Sequence, residues 1–510
     1  MRKFLIMLLM MACCVCAAAA EKTDAEVLAQ GACGDAVNWA FHADGTLVIS
    51  GEGATWDCQN ADTDEVGWRT LYKHQITRVV VEDGVTRLGD WVLSECSLLS
   101  EVDFGSTMKE MGYGVFYRCK ALEYVDIPQS MVSVQGFEES GLREIEIPAG
   151  VVALGGFYGC EQLERVYIHS LQGEWAAYTV QCGLFAGCTS LKEIQVEEGH
   201  PVIHTTDGVL YSETRLISYP PAKEATAFCP EEGTTEITQL SISGALYLET
   251  VTFPDSVQII AGSAFRNCPR LTSVMLPAGL EQMHDSVFEY CPALKTVKFN
   301  SSISETYGFV FANCPSLEGI ELPSGLTFIG NHAFYVDSTC ARRGLISVVI
   351  PSTVTTIDAG AFRGTALEVV YLPPSVQEIR ENAFADTPLK AVVCHEGSYA
   401  ARWAAEQGLE AVVIREDDRE ILPDDLQRIE AQAFRGTSVA YVVVPEGCRL
   451  IGENAFADCE ALRVIELPDS VTDIAPNAFS GCRNFVIRAN VGSEAAKWAE
   501  KNDVLVWLQP

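Results

Sequence analysis

Phenylalanine returns every 23 residues through the middle of this chain, at Phe265, Phe288, Phe311 and Phe334. Cys268, Cys291 and Cys314 follow the first three by three positions, and Leu271, Leu294 and Leu317 follow those by three more. Val274, Val297 and Ile320 come next, with Leu276, Phe299 and Leu322 two residues on. Pro277 and Pro323 close two of these segments, and the unit reads L-x-x-V-x-L-P-x-x-[VL]-x-x-I-x-x-x-A-F-x-x-C. It recurs around Phe116, Phe137, Phe157, Phe185, Phe362, Phe384, Phe434, Phe456 and Phe479. One such unit has no way to bury its own apolar side, so the units must stack and bury each other's.

The local chemistry says how each unit coils. L-x-x-V-x-L is too short for a helix and alternates at its end, which predicts a strand. Proline ends the strand by removing a ladder donor. The A-F segment then returns the chain with its ring turned inward. The spacing lies in the range of leucine-rich repeats. The expected fold is a β-rich, right-handed superhelical solenoid with short strands per rung, few helices and about fifteen rungs some 4.8 Å apart.

The cysteine after each phenylalanine forms a column: Cys96, Cys119, Cys160, Cys188, Cys268, Cys291, Cys314, Cys459 and Cys482. Ser140, Thr365, Thr387 and Thr437 stand there in other rungs. Small donors share the position, so we expect free buried thiols satisfying a backbone carbonyl at the turn. Parallel side chains are poorly placed for disulfides. Outside the column, Cys33 and Cys58 are the one pair worth testing for a bridge.

Net charge is -34, from 69 acidic and 35 basic residues, which disfavours nucleic acid and anionic membranes as partners. Arg2 and Lys3, an apolar run from Phe4 to Met11 and Ala18-Ala19-Ala20 read as a signal peptide over 1–20, cleaved after Ala20. Lipidation at Cys13 is the alternative, and no later stretch is apolar enough to span a membrane.

Residues 21–70 should form a β-rich cap with a hairpin turn at Asp44-Gly45. The solenoid should occupy 71–396, with irregular rungs at 170–187 and 197–245. A short helix capped by Ser398, then a strand, should fill 397–414. Phe384 and Phe479 are 95 residues apart, as are Trp403 and Trp498. Residues 415–510 therefore read as a second repeat block ending in a duplicate helix that starts at Ser493, with the charged run from Arg415 to Glu420 at the join.

The repeat unit resembles that of the BspA-like leucine-rich-repeat surface proteins. Cys33-Gly34, Trp39 and Asp44 to Gly51 resemble the segment that often precedes the repeats. His200-Pro201-Val202, Thr206 to Tyr211 and Leu216 to Pro220 are similar to the hairpin-bearing rung, and Gly397 to Ala404 to the terminating helix. The resemblance implies an exported or surface protein that adheres to host matrix proteins or other surfaces.

No catalytic constellation, cofactor cradle or metal motif is found. Gly51-Glu52-Gly53 is a turn without a following β-α unit. His200 and His204 flank Pro201, so the helix a metal pair needs is missing. No P-loop, G-x-S-x-G or calcium loop occurs. The functional candidates are surface residues flanking the central valine of the strands: Tyr124 with Asp126, Glu144 with Glu146, Arg165 with Tyr167, Val369 with Tyr371, and Tyr441 with Val443. Alternation turns these outward, and exposed tyrosines on a rigid sheet suit a protein interface; plain cross-strand stacking explains them too. Trp175 and Tyr178 in the enlarged rung form a second candidate. We read the chain as a non-enzymatic binding or adhesion scaffold for an extracellular protein or glycan. A structural element of an envelope or extracellular assembly is one alternative, and a hydrolase with its site in the irregular rungs the other.

Overall fold

The computed structural model of the protein describes residues 23–170, 179–300 and 303–510. The signal segment over 1–20, Trp175 and Tyr178 lie outside the described residues. The chain is a β-solenoid of about 18 turns with few helices. That exceeds the expected count. Leu93 and Ile242 take the ring position where phenylalanine is absent, each accepting from the next turn's cysteine as phenylalanine does elsewhere. Two compact units are present, one ending at Gly208 and the other running Val209–Pro510.

The first unit opens with three antiparallel strands, Val27–Ala32, Val37–His42 and Thr46–Gly51. Alternation buries Val37, Trp39 and Phe41 on one side. Gly45 takes φ +86° in the turn, where Asp44 accepts from Thr46 N–H at 3.0 Å. Thr46–Gly51 then pairs in parallel with Arg78–Val81, the first coil strand, and so covers the open end of the stack. The short helix α1 (Arg69–Tyr72) follows. Arg69 is buried and donates to the carbonyls of Asn60, Ala61 and Thr63 and to Ser94 Oγ, clamping the preceding loop to the coil.

Each regular coil has a longer strand, a two-residue strand and a turn segment carrying the phenylalanine. Glu144–Ile147, Arg165–Ile168 and Glu193–Val196 run in parallel register. Ser133–Val134, Ala153–Leu154 and Thr179–Val180 form the second ladder. Phe116, Phe137, Phe157 and Phe185 stack at 5.1, 5.5 and 5.6 Å.

The turn segments carry a device the repeat pattern does not announce. Residues two before and two after the ring adopt left-handed backbone, as at Ser286 and Tyr290, both φ +59°. Each costs a non-glycine residue on the order of 1 kcal/mol. The return is an aligned row of donors: Ser286, Phe288 and Tyr290 N–H reach Gly308, Val310 and Ala312 carbonyls of the next coil, each at 2.9 Å. A buried amide left without a partner costs about 1–3 kcal/mol, so the row favours the strained backbone.

Eight of the column cysteines donate to the carbonyl at the ring position of the preceding coil; Cys291 Sγ to Phe265 O at 3.2 Å and Cys314 Sγ to Phe288 O at 3.1 Å are examples. Thr365, Thr387 and Thr437 instead donate to the ring residue of their own coil, at 2.8, 2.6 and 2.8 Å. Cys33, Cys58 and the nine column cysteines are free thiols.

The second unit begins with the antiparallel hairpin Val209–Ser212 and Arg215–Ser218, and its coils stack Phe265, Phe288, Phe311, Phe334, Phe362 and Phe384 at 5.2–5.6 Å. Helix α2 (Tyr399–Glu406) starts where Ser398 Oγ accepts from Ala401 N–H, and its Trp403 lies 5.5 Å from Phe384, ending the column. The array restarts with Phe434, Phe456 and Phe479, 4.9 and 5.3 Å apart. Helix α3 (Glu494–Lys501), capped by Ser493, closes it with Trp498 at 5.4 Å.

The two arrays of this unit meet face to face. Val369, Ala391, Val393, Val412 and Ile414 from one pack with Tyr441, Val464, Val486 and Trp507 from the other in a single apolar cluster. At the rim, a Cβ on Gly319 would lie 2.8 Å from Pro510 Cβ, so glycine is what lets the last residue approach.

Candidate binding surface

Among the described residues of the first unit, the outer side of the strands Glu144–Ile147, Arg165–Ile168 and Glu193–Val196 carries exposed Glu146, Arg165, Glu193 and Gln195, with Glu144 and Tyr167 half-exposed. Register places Glu144 beside Arg165 and Glu193, and Glu146 beside Tyr167 and Gln195. Arg165 pairs with Glu144 at 2.5 Å. His169 bridges Glu146 at 2.5 Å and Glu197 at 3.3 Å and meets the Tyr167 ring edge-on at 4.9 Å. Partial burial, then the Glu197 and Glu146 carboxylates, push the Tyr167 phenol up. Tyr124 is 55% exposed. The result is an acidic face carrying two tyrosines on a fixed scaffold, suited to holding a partner by ring contact and charge.

Tyr371 and Tyr441 do not share that environment. Each sits on the outer side of its own sheet, as alternation requires, but that side is covered by the opposing array. Tyr441 is 7% exposed. The expectation that Tyr441 lies open to a partner is therefore corrected, while Tyr371 is half-buried: the flanking positions of these strands are apolar, and two such faces bury each other. Tyr441 Oη donates to Glu466 Oε1, and burial, then the Glu466 charge, raises its phenol far above the ordinary range. Tyr371 stacks on Trp507 at 5.1 Å and pairs with His395 Nε2 at 3.1 Å.

Sequence reasoning passed over Arg419, Glu466, Arg488 and Trp507, which gather at this seam. Arg488 reaches Glu466 at 2.9 Å and Gln509 at 3.1 Å, with its guanidinium 4.7 Å from the Trp507 ring centre. The available signal was loss of alternation: Val369-Val370, Ala391-Val392-Val393 and Tyr441-Val442-Val443 are apolar at consecutive positions, the mark of strands covered on both faces.

Among the described residues no group of three or more His, Cys, Asp and Glu is placed to hold a metal, and no helix is long and apolar enough to cross a membrane. His200 Nδ1 accepts from Val202 and Ile203 N–H at 3.3 and 3.2 Å, and burial pushes its pKa down to about 4.

Stacked parallel coils with an inward ring column and outward variable positions define a leucine-rich-repeat solenoid. A BspA type leucine rich repeat region matches in six copies, over residues 64–176, 225–341, 337–400 and 419–491. These segments cover well over half of the chain, and the protein belongs to that family. A leucine-rich repeat protein from Eubacterium ventriosum is 21% identical with a TM-score of 0.62, over 71% of this chain and 96% of that one, and supports the fold. A leucine-rich repeat protein from Bacteroides ovatus is 23% identical over 75% of this chain and 99% of that one, with a TM-score of 0.48. A leucine rich cell surface protein from Faecalibacterium prausnitzii is 22% identical over 72% and 99%, with a TM-score of 0.38. No curated protein shows a significant match.

Proposed function

We propose that the protein is exported to the cell surface or beyond and acts there as a non-catalytic binding scaffold, engaging an extracellular protein through the open strand face of its first unit. The observation that carries this reading is the in-register, outward set of half-exposed Tyr167 and Glu144 with exposed Arg165 and Glu146, and exposed Tyr124 nearby. Rigid strands hold these side chains without ordering on binding, which limits the entropy cost of association. The excess of carboxylates favours a cationic protein segment over sulfated or uronic glycans. Export is inferred from the basic, apolar and small-residue segments over 1–20.

The test is immobilised mature chain against a panel of extracellular matrix proteins and glycans. Saturable binding to a protein, weakened about tenfold or more by Tyr124→Ala with Tyr167→Ala and by added salt, supports the reading. Binding indifferent to both tyrosines would place the interface elsewhere.

A further inference from the structure

The seam in the second unit is not closed everywhere. Tyr371, His395, Arg419, Arg488 and Trp507 line a cleft of about 210 Å³, with Val349, Ile350 and Ile414 as apolar walls. At bulk density that is room for about seven waters. Among the described residues no Asp or Glu lines it. In a chain of net charge -34, a cleft edged by two guanidiniums is a local inversion of sign.

The donors are under-used. Trp507 is 7% exposed and its Nε1–H has no hydrogen-bond partner. Its ring is engaged by Tyr371 and the Arg488 guanidinium, and Nε1 itself is sealed from solvent. Arg419 has one long bond, 3.4 Å to Glu466, and otherwise lies 5.7 Å from the Tyr441 ring centre. Most of its five N–H donors remain available. Glu466, the nearby carboxylate, already accepts from Tyr441, Arg419 and Arg488. The cluster therefore holds two permanent positive charges against one negative.

We propose that this cleft binds a small organic carboxylate, whose oxygens accept from the Arg419 and Arg488 guanidiniums while its carbon body meets the valine and isoleucine walls beside the Trp507 ring. A guanidinium fork matches a carboxylate's two oxygens, and the apolar walls favour an organic anion over an inorganic one.

The experiment uses the full mature chain with its tryptophan indoles labelled with ¹⁵N. Each of the eight tryptophans gives one side-chain N–H signal, and Trp507→Phe identifies the one that matters. Benzoate, acetate, inorganic phosphate and chloride are titrated at constant ionic strength. The expected result is a saturable shift of the Trp507 signal with benzoate, smaller with acetate, while the other indoles stay fixed. Arg419→Gln, at a side chain 42% exposed and held by one long bond, should keep the remaining signals in place and weaken benzoate about tenfold, the loss of one charge-assisted hydrogen bond. A shift that chloride reproduces, a response to phosphate alone, a titration unchanged in Arg419→Gln, or no saturation would each overturn the proposal.

Discussion

Glu138 sits directly after the ring of its coil, 7% exposed, and neither carboxyl oxygen has a hydrogen-bond partner. The N–H groups of Glu138 and Gly114 lie close enough to oppose the effect of burial, but neither meets hydrogen-bond geometry. Burial therefore dominates and carries the pKa from 4.5 to about 7. Tyr113, the ionisable neighbour that feels this charge, has its own phenol pushed up by burial first and by Glu138 second. For an acid whose folded pKa is raised, the folded state keeps its proton while the unfolded chain loses it. Stability then falls as pH climbs from 4.5 to 7 and levels off above. At 1.36 kcal/mol per pKa unit, the penalty above pH 7 is about 3 kcal/mol. Glu138→Gln keeps the shape and removes the ionisation. Thermal unfolding of both forms should show the variant higher at pH 8, by about 6–12 °C for a unit of this size, and nearly equal to the parent at pH 4. A variant less stable at both pH values, or equally shifted at both, would refute the argument and imply that the carboxylate is solvated or paired.

Phe288→Ala, in the middle of a ring stack, should cost about 3–5 kcal/mol and speed amide exchange first in the coils on either side, as nearest-neighbour coupling requires. Native-state thiol labelling should modify the exposed Cys229 well before the buried column thiols; burial pushes Cys96 and Cys314 up to about 12, and rapid labelling of either would contradict the sealed turn. Gly319→Val should displace Pro510 and raise amide exchange over Leu505–Gln509, whereas unchanged exchange would mean the C-terminal strand does not depend on that approach.

What could be read from the residues was whatever the stack enforces in every coil. Rings at Phe265 to Phe384 must share one column because no other position shelters them, and Cys291 or Cys314 must be small and able to donate because a carbonyl waits there. Ser398 and Ser493 announce their helices by N-cap chemistry that is local. Left-handed Ser286 and Tyr290 were not legible: serine and tyrosine have no preference for that backbone, and neighbouring coils impose it. Nor was the covering of Tyr441. Outward direction follows from pleating within one strand, but whether anything lies beyond depends on another array some 70 residues away in sequence. The seam residues Arg419, Arg488 and Trp507 come together only once that packing exists.

The interruption at Trp403 has a mechanical corollary. A fracture opened among the early coils of the second unit can travel ring by ring as far as Phe384, where the tryptophan of α2 ends the stack. Beyond it, load passes to the next array through the connecting chain and the valine-lined seam. Under tension the unit should yield in two separate events.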